Sequence, residues 1–211
     1  MYDLTKQRSA SSVKRKLLLC ICLILLLSIA PLVNAQADQF IENGDKYLAE
    51  GDWQRAIGEF KKGLEIAEYD LRIAEKLAEA YIASGKRDDY IGEYEQLTTD
   101  NYAYPTNHFI LGILQLDKAN SLEYDNQRRR VYPDAIESFA ITIAFGADEA
   151  LSRYYLGKAY YMAYMWGAYW SPAVKDPSRY SNSIEHFEKA IELDPGFFLS
   201  YQGLALIHLV M

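Results

Sequence analysis

The sequence predicts an all-α solenoid of stacked antiparallel helix pairs, and three observations carry the prediction. Small residues recur at a fixed interval, with Gly44, Ala78 and Gly112 successively 34 apart. Aromatic residues keep step with them: Phe60 and Tyr94 are 34 apart, and where Gly112 to Gly157 lengthens to 45, so does Tyr94 to Phe139. The next interval is 48 for both Gly157 to Ala205 and Phe139 to Phe187. Two markers that stretch together are the signature of a repeated supersecondary unit. Within each unit, large residues at i and i+4 alternate with small ones, as two closely approaching helices require.

The units follow in order. The first, about 37–70, reads "FIENGDKYLAEGDWQRAIGEFKKGLEIA": Phe40, Gly44 and Tyr47 share one helical face, Ala56, Phe60 and Gly63 another. Gly51-Asp52 marks the turn between them. The second, about 71–104, repeats this with Leu77, Ala78 and Tyr81, then Gly85, then Tyr90, Tyr94 and Leu97. The third, about 105–149, carries an 11-residue insertion within Asp117–Asp134; the fourth, about 150–197, carries one of 14 residues between Tyr161 and Asn182. Pro133 and Pro177 are expected near the helix starts that follow these insertions. A first helix with Tyr201, Leu204, Ala205 and His208 opens a fifth unit over 198–211. That helix is apolar on nearly every side, unlike a polar capping helix. It suggests a longer chain, or a terminus covered by a partner or by a second copy through self-association.

These residues resemble the tetratricopeptide-repeat family, whose pattern runs Trp-x2-Leu-Gly-x2-Tyr, then Ala-x3-Phe-x2-Ala, then Pro. Leu111-Gly112 and Leu156-Gly157 with Tyr160 match its first half; Ala56 with Phe60, Ala135 with Phe139, and Phe187 with Ala190 and Pro195 match its second. Asn43, Tyr90 and Gln115 depart from it. The resemblance covers nearly all of residues 38–211 and implies a right-handed superhelix whose first helices line a concave groove. In that family the groove receives segments of partner proteins.

The N-terminus has a separate character. Lys6, Arg8, Lys14, Arg15 and Lys16 precede the apolar run Leu17 to Val33, and Val33-Asn34-Ala35 and Ala35-Gln36-Ala37 offer small-residue cleavage sites. This is the anatomy of a secretory signal peptide over 1–37; an uncleaved anchor formed by residues 17–33 is the other reading. The expected location is therefore periplasmic, secreted or in the cell envelope, with membrane contact only through that segment. Cys20 and Cys22 lie inside the run behind Leu19 and Ile21, not behind the small residue a lipidation site would want. Residues 38–211 contain no cysteine, which excludes disulfides and thiolate metal sites there. They carry 17 basic and 28 acidic residues, a net charge of −11 that repels nucleic acid.

The residues do not assemble into a recognisable catalytic motif, so a non-catalytic protein without cofactor or metal is expected. Of the three histidines, His108 and His208 fall on core-facing positions of first helices and His186 beside Phe187, without metal-ligand spacing. Glu75 and Glu79 read as a solvated helix face rather than as a hydrolytic pair. Gln127 to Arg130 forms a basic island, read as an exposed loop balanced by Glu123 and Asp125.

Alignment of the units on the resembling family implies a groove lined by Ile41, Asp45 and Leu48, by Glu75, Glu79 and Ile82, by Phe109, Ile113 and Leu116, and by Tyr154, Lys158, Tyr161 and Met165. It would be acidic at one end and apolar-aromatic at the other, suited to an apolar helix or strand of a partner protein. On this reading, replacing Phe109, Tyr154 and Tyr161 with serine abolishes binding without loss of helicity. Trp166, Tyr169 and Trp170 run past the usual end of a first helix into the insertion. They offer a second function class, a carbohydrate- or small-ligand-binding platform; an accessory domain of a longer protein is a third.

Overall fold

The computed structural model describes residues 35–123, 125–170 and 176–209. The leader expected over 1–37 lies outside the described residues, apart from 35–37, which open the first helix. Among the described residues the fold is all-α, with nine helices: α1 (35–49), α2 (Trp53–Ile66), α3 (Leu71–Ala83), α4 (Arg87–Asp100), α5 (Pro105–Ser121), α6 (Asp125–Ala144), α7 (Ala150–Trp170), α8 (Pro177–Leu193) and α9 (Phe198–Leu209).

Local chemistry sets the boundaries. Gly51 (φ 76°) and Gly85 (φ 74°) take the left-handed conformation at the turns inside the first two pairs, which a side chain would strain. Asp52, Asp70 and Asp176 cap α2, α3 and α8 by accepting from the backbone N–H of Arg55, Arg72 and Ser178. Pro177 occupies the first turn of α8, as expected. Pro133 does not open a helix: α6 already begins at Asp125, and Pro133 lies inside it, where its ring removes one intrahelical hydrogen bond. The third unit absorbs its insertion by lengthening both helices, to 17 residues in α5 and 20 in α6, not by extending a loop.

The periodic markers are packing partners. A side chain on Gly44 would collide with the ring of Phe60, one on Gly112 would lie 2.7 Å from Phe139 Cε1, and one on Gly157 would lie 3.0 Å from Phe187 Cδ1. Each glycine thus lets the second helix of its own pair press an aromatic ring against the first helix's backbone. Phe60, Phe139 and Phe187 are buried as a result, each contributing about 1.5–3 kcal/mol of transfer energy. In the last unit, Gly203 and not Ala205 meets Phe187, and Ala205 is exposed. His208 is likewise exposed, because α9 has no second helix among the described residues to cover that side.

Curvature follows from which helices meet. The first helices of successive units touch, α3 with α5 and α5 with α7, and α3 also reaches α7 directly; among the described residues the second helices α4 and α6 do not touch. The stack therefore curls with its first helices inside. Polar links brace it: Arg72 bridges to Asp38 at 2.8 Å, Lys76 to Asp45 at 3.3 Å, and Arg87 ties α4 to α5 through Asp117 at 2.8 Å.

Candidate functional site on the concave face

The inner face is built from α1, α3, α5 and α7, and its centre is narrower than repeat alignment implies. Tyr155, on the first turns of α7, is buried, with its ring edge-on to Phe109 and stacked on Phe139, at centroid distances of 5.4 and 5.5 Å. Its hydroxyl donates to Glu75 Oε1 on α3 at 2.7 Å, spanning 80 residues of sequence. Burial raises the Glu75 carboxyl above the ordinary carboxylate range, with the Tyr155 hydrogen bond opposing, and burial also pushes the Tyr155 hydroxyl up. Glu75 is thus a partly buried acceptor within the fold, not a solvated surface acid.

This closure corrects part of the expected groove. Phe109 is 0 % exposed and Ile113 5 %. Both sit in the core beneath α7 and present nothing to a partner, and Leu116 is buried with them. Ile82 and Tyr154 are half-buried against the core, and Lys158, Tyr161 and Met165 are partly accessible. The Lys158 ammonium lies 5.7 and 5.5 Å from the ring centroids of Tyr154 and Tyr155. Burial pulls its pKa below the ordinary lysine value, while the fields of Glu75, Asp117 and Glu79 act the other way. What remains open is a ledge of Tyr154, Lys158, Tyr161 and Met165 along α7, facing the acids of α3.

The ledge adjoins a cleft of about 460 Å³ between α1 and α3, lined by Asp38, Ile41, Glu42, Asp45, Arg72, Glu75 and Lys76. Glu75 lines the cleft and bonds Tyr155, the neighbour of the ledge's Tyr154, so it links an acidic N-terminal cleft to an aromatic ledge. Tyr155 is the member that repeat alignment leaves out. The signal present in the sequence was its place in an uninterrupted aromatic pair, Tyr154-Tyr155, of which only one ring can face outward on a helix.

The aromatic platform is differently arranged from a free stacking surface. The Arg128 guanidinium of the basic island lies 3.6 Å from the centroid of the Trp166 ring, and Arg128 itself is buried. A cation–π contact between α6 and α7 thus occupies one Trp166 face, and the basic island lies in α6 with Arg128 buried, not in the exposed loop expected. Tyr169 and Trp170 belong to the last turn of α7; their side chains lie outside the described residues. His108 donates through Nε2 to the Tyr102 carbonyl at 2.8 Å, and His186 accepts at Nδ1 from Arg153 at 3.2 Å, both structural roles. Among the described residues there is no group of three or more His, Cys, Asp or Glu placed to hold a metal ion, and no helix is long and apolar enough to cross a membrane.

No family model and no curated protein matches this chain. Among solved structures, the chain is similar to a crystal structure of MamA, at 24% identity and TM-score 0.49, covering 78% of this chain and 82% of that one. It is similar to residues 41 to the end of MamA from Desulfovibrio magneticus RS-1, at 16% identity and TM-score 0.49, over 82% and 84% of the two chains. It is similar also to TTC0263, a thermophilic tetratricopeptide-repeat protein of Thermus thermophilus, at 14% identity and TM-score 0.44, over 82% and 99%. By its paired helices and its periodic glycine–aromatic contacts, the chain has the architecture of a tetratricopeptide-repeat solenoid.

Proposed function

We propose that the protein is a non-catalytic scaffold that holds a segment of a partner protein against its concave face, and that it does so outside the cytoplasm. The observation that carries this reading is that Glu75 lines the α1–α3 cleft and also meets α7, bonding Tyr155 and lying within the field of Lys158, beside the accessible Tyr154, Tyr161 and Met165. Apolar and aromatic contacts on the ledge supply affinity, and the acids at the other end fix orientation. The braced first helices keep the surface preorganised, so little ordering cost is incurred on binding. The basic n-region and apolar run ahead of residue 35 support export.

The test compares proteins captured by the wild-type chain and by a Tyr154→Ala/Tyr161→Ala/Met165→Ala variant, with circular dichroism as control. A defined set of partners lost from the variant, at unchanged helicity, is the expected result; equal capture by both rules out this surface. Mass analysis of the N-terminus in the native host is expected to give a chain beginning at Gln36 or Asp38. A retained leader would replace the cleaved form with a membrane-anchored one.

A further inference from the structure

The turns that join one helix pair to the next expose a row of aromatic rings on an edge of the solenoid that the concave face does not use. Tyr69, in the α2–α3 turn, is 53 % exposed; Tyr102, in the α4–α5 turn, 54 %; and Phe145, at the end of α6, 43 %. The rings meet in two pairs, joined through the α4–α5 turn that carries both Tyr102 and Tyr104. Tyr69 packs on Tyr104 at 5.5 Å between centroids, and Tyr102 meets Phe145 edge-on at the same distance. His108, buried and bonded to the Tyr102 carbonyl, holds that turn in place, while the Tyr104 hydroxyl and Thr106 both donate to the Glu68 carbonyl. The two pairs are thus held in fixed positions, and exposed aromatics grouped on neighbouring turns mark interaction sites.

Its surroundings are mainly acidic. Segments 63–70, 90–104 and 131–149 contain ten acidic residues and no lysine or arginine. Arg72 and Arg153, just past two of these segments, are already engaged, Arg72 with Asp70 and Asp38, and Arg153 with Asp148. A cleft of about 430 Å³ opens beside Tyr69, lined by Ile66, Glu68, Asp70, Arg72 and Glu149 among others. Glu149 is exposed at the rim of this cleft, and desolvation together with the Asp70 charge pushes its carboxyl above the ordinary range, with the Arg72 charge opposing. A carboxylate in that position gains from a cation brought to it, and the adjacent ring faces favour the same charge.

We infer that this edge is a second docking surface, for a segment of a partner protein that places an apolar or aromatic side chain on the Tyr69–Tyr102–Phe145 row and a lysine or arginine against Glu68 and Glu149. The occupant is fixed by charge complementarity: an acidic segment is repelled, and an uncharged apolar one leaves the carboxylates desolvated without compensation. Arg72 lines both clefts, but the aromatic pairs, Glu68 and Glu149 take no part in the concave ledge, so variants at those positions test this surface apart from the concave one.

The experiment uses a displayed library of random linear dodecamer peptides selected on the immobilised full chain. Selected peptides are expected to share an apolar or aromatic residue flanked by lysine or arginine. Their recovery is expected to fall by about tenfold or more, the scale of a central interface residue, on a Tyr69→Ser/Tyr102→Ser/Phe145→Ser variant. It should fall similarly on Glu68→Gln/Glu149→Gln, whose near-isosteric changes keep the fold, and stay unchanged on Tyr154→Ala/Tyr161→Ala. Failure to enrich any consensus, an acidic or uncharged consensus, or recovery that survives the glutamine variant overturns the inference. Recovery that depends on Tyr154 and Tyr161 assigns the peptides to the concave face and overturns it equally.

Discussion

Replacing Gly112 with alanine adds one methyl group to α5 at the place where α6 comes closest. That carbon would stand 2.7 Å from Phe139 Cε1 and 2.9 Å from Cδ1 and Cζ, against about 3.5–4.0 Å for an ordinary carbon–carbon contact. The ring must withdraw by roughly an ångström. It has nowhere to go, since Phe139 is fully buried between Tyr155 and Phe109. Overpacking of this kind costs about 1–3 kcal/mol, from which the better helix propensity of alanine returns about 1 kcal/mol. Gly92→Ala is the control: Gly92 lies inside α4 with nothing within 4 Å of the added carbon, so it shows the propensity gain alone, about 0.5–1 kcal/mol. The two substitutions should therefore move Tm in opposite directions, by about 2–4 °C per kcal/mol for a chain of this size. Phe139→Leu should relieve Gly112→Ala in a double-mutant cycle, with a coupling of about 0.5–3 kcal/mol. If Gly112→Ala raises Tm as much as Gly92→Ala does, the periodic glycines are not contact residues and the packing account fails.

Two further substitutions probe the inner face. The raised Glu75 carboxyl binds its proton more tightly in the folded than in the unfolded chain. Its stabilising contribution is thus complete below the ordinary carboxylate range and is lost as the pH rises through the raised value. Glu75→Gln keeps an acceptor for the Tyr155 hydroxyl without a buried charge, so it should raise Tm at pH 7, with the gain shrinking towards pH 4; Glu79, Lys76 and Lys158 are the charged neighbours whose fields this reads. A fall in Tm at pH 7 would show that the carboxylate's charge is itself stabilising. Phe109→Ala should cost about 3–5 kcal/mol because the side chain is fully buried. Tyr161→Ala should stay within about 0.5 kcal/mol of wild type, and chemical denaturation followed by circular dichroism separates the two.

The helical class and the glycine–aromatic contacts were legible because they depend on one unit at a time. Gly112 and Phe139 meet inside a single helix pair, so their joint spacing survives in the sequence even where an insertion stretches it. The inner face was legible only in part. Aligning units assumes that equivalent positions have equivalent surroundings, which holds for Tyr161 but not for Phe109. The approach of α7 to α3 is set by curvature accumulated over three units, and that sum has no period. Tyr155 fills the space so created, and it turns Phe109 from lining into interior; Ile113 is buried as well. Arg128 and Trp166 escaped for a related reason. Both lie near insertions, so no repeat position specifies either, and only the lengthened α6 and α7 bring the guanidinium over the indole.

The hydrogen bond from Tyr155 to Glu75 has a consequence for how the molecule comes apart. A repeat array whose units touch only their neighbours behaves as a one-dimensional chain of coupled spins and can melt from either end. Here the second unit is fastened directly to the fourth across 80 residues, adding a term between non-adjacent sites. Fraying of α7 and α8 then removes a support from α3 as well, so the loss of one end propagates inward instead of stopping at the next boundary. The array should unzip less like a ladder and more like a ring with one clasp.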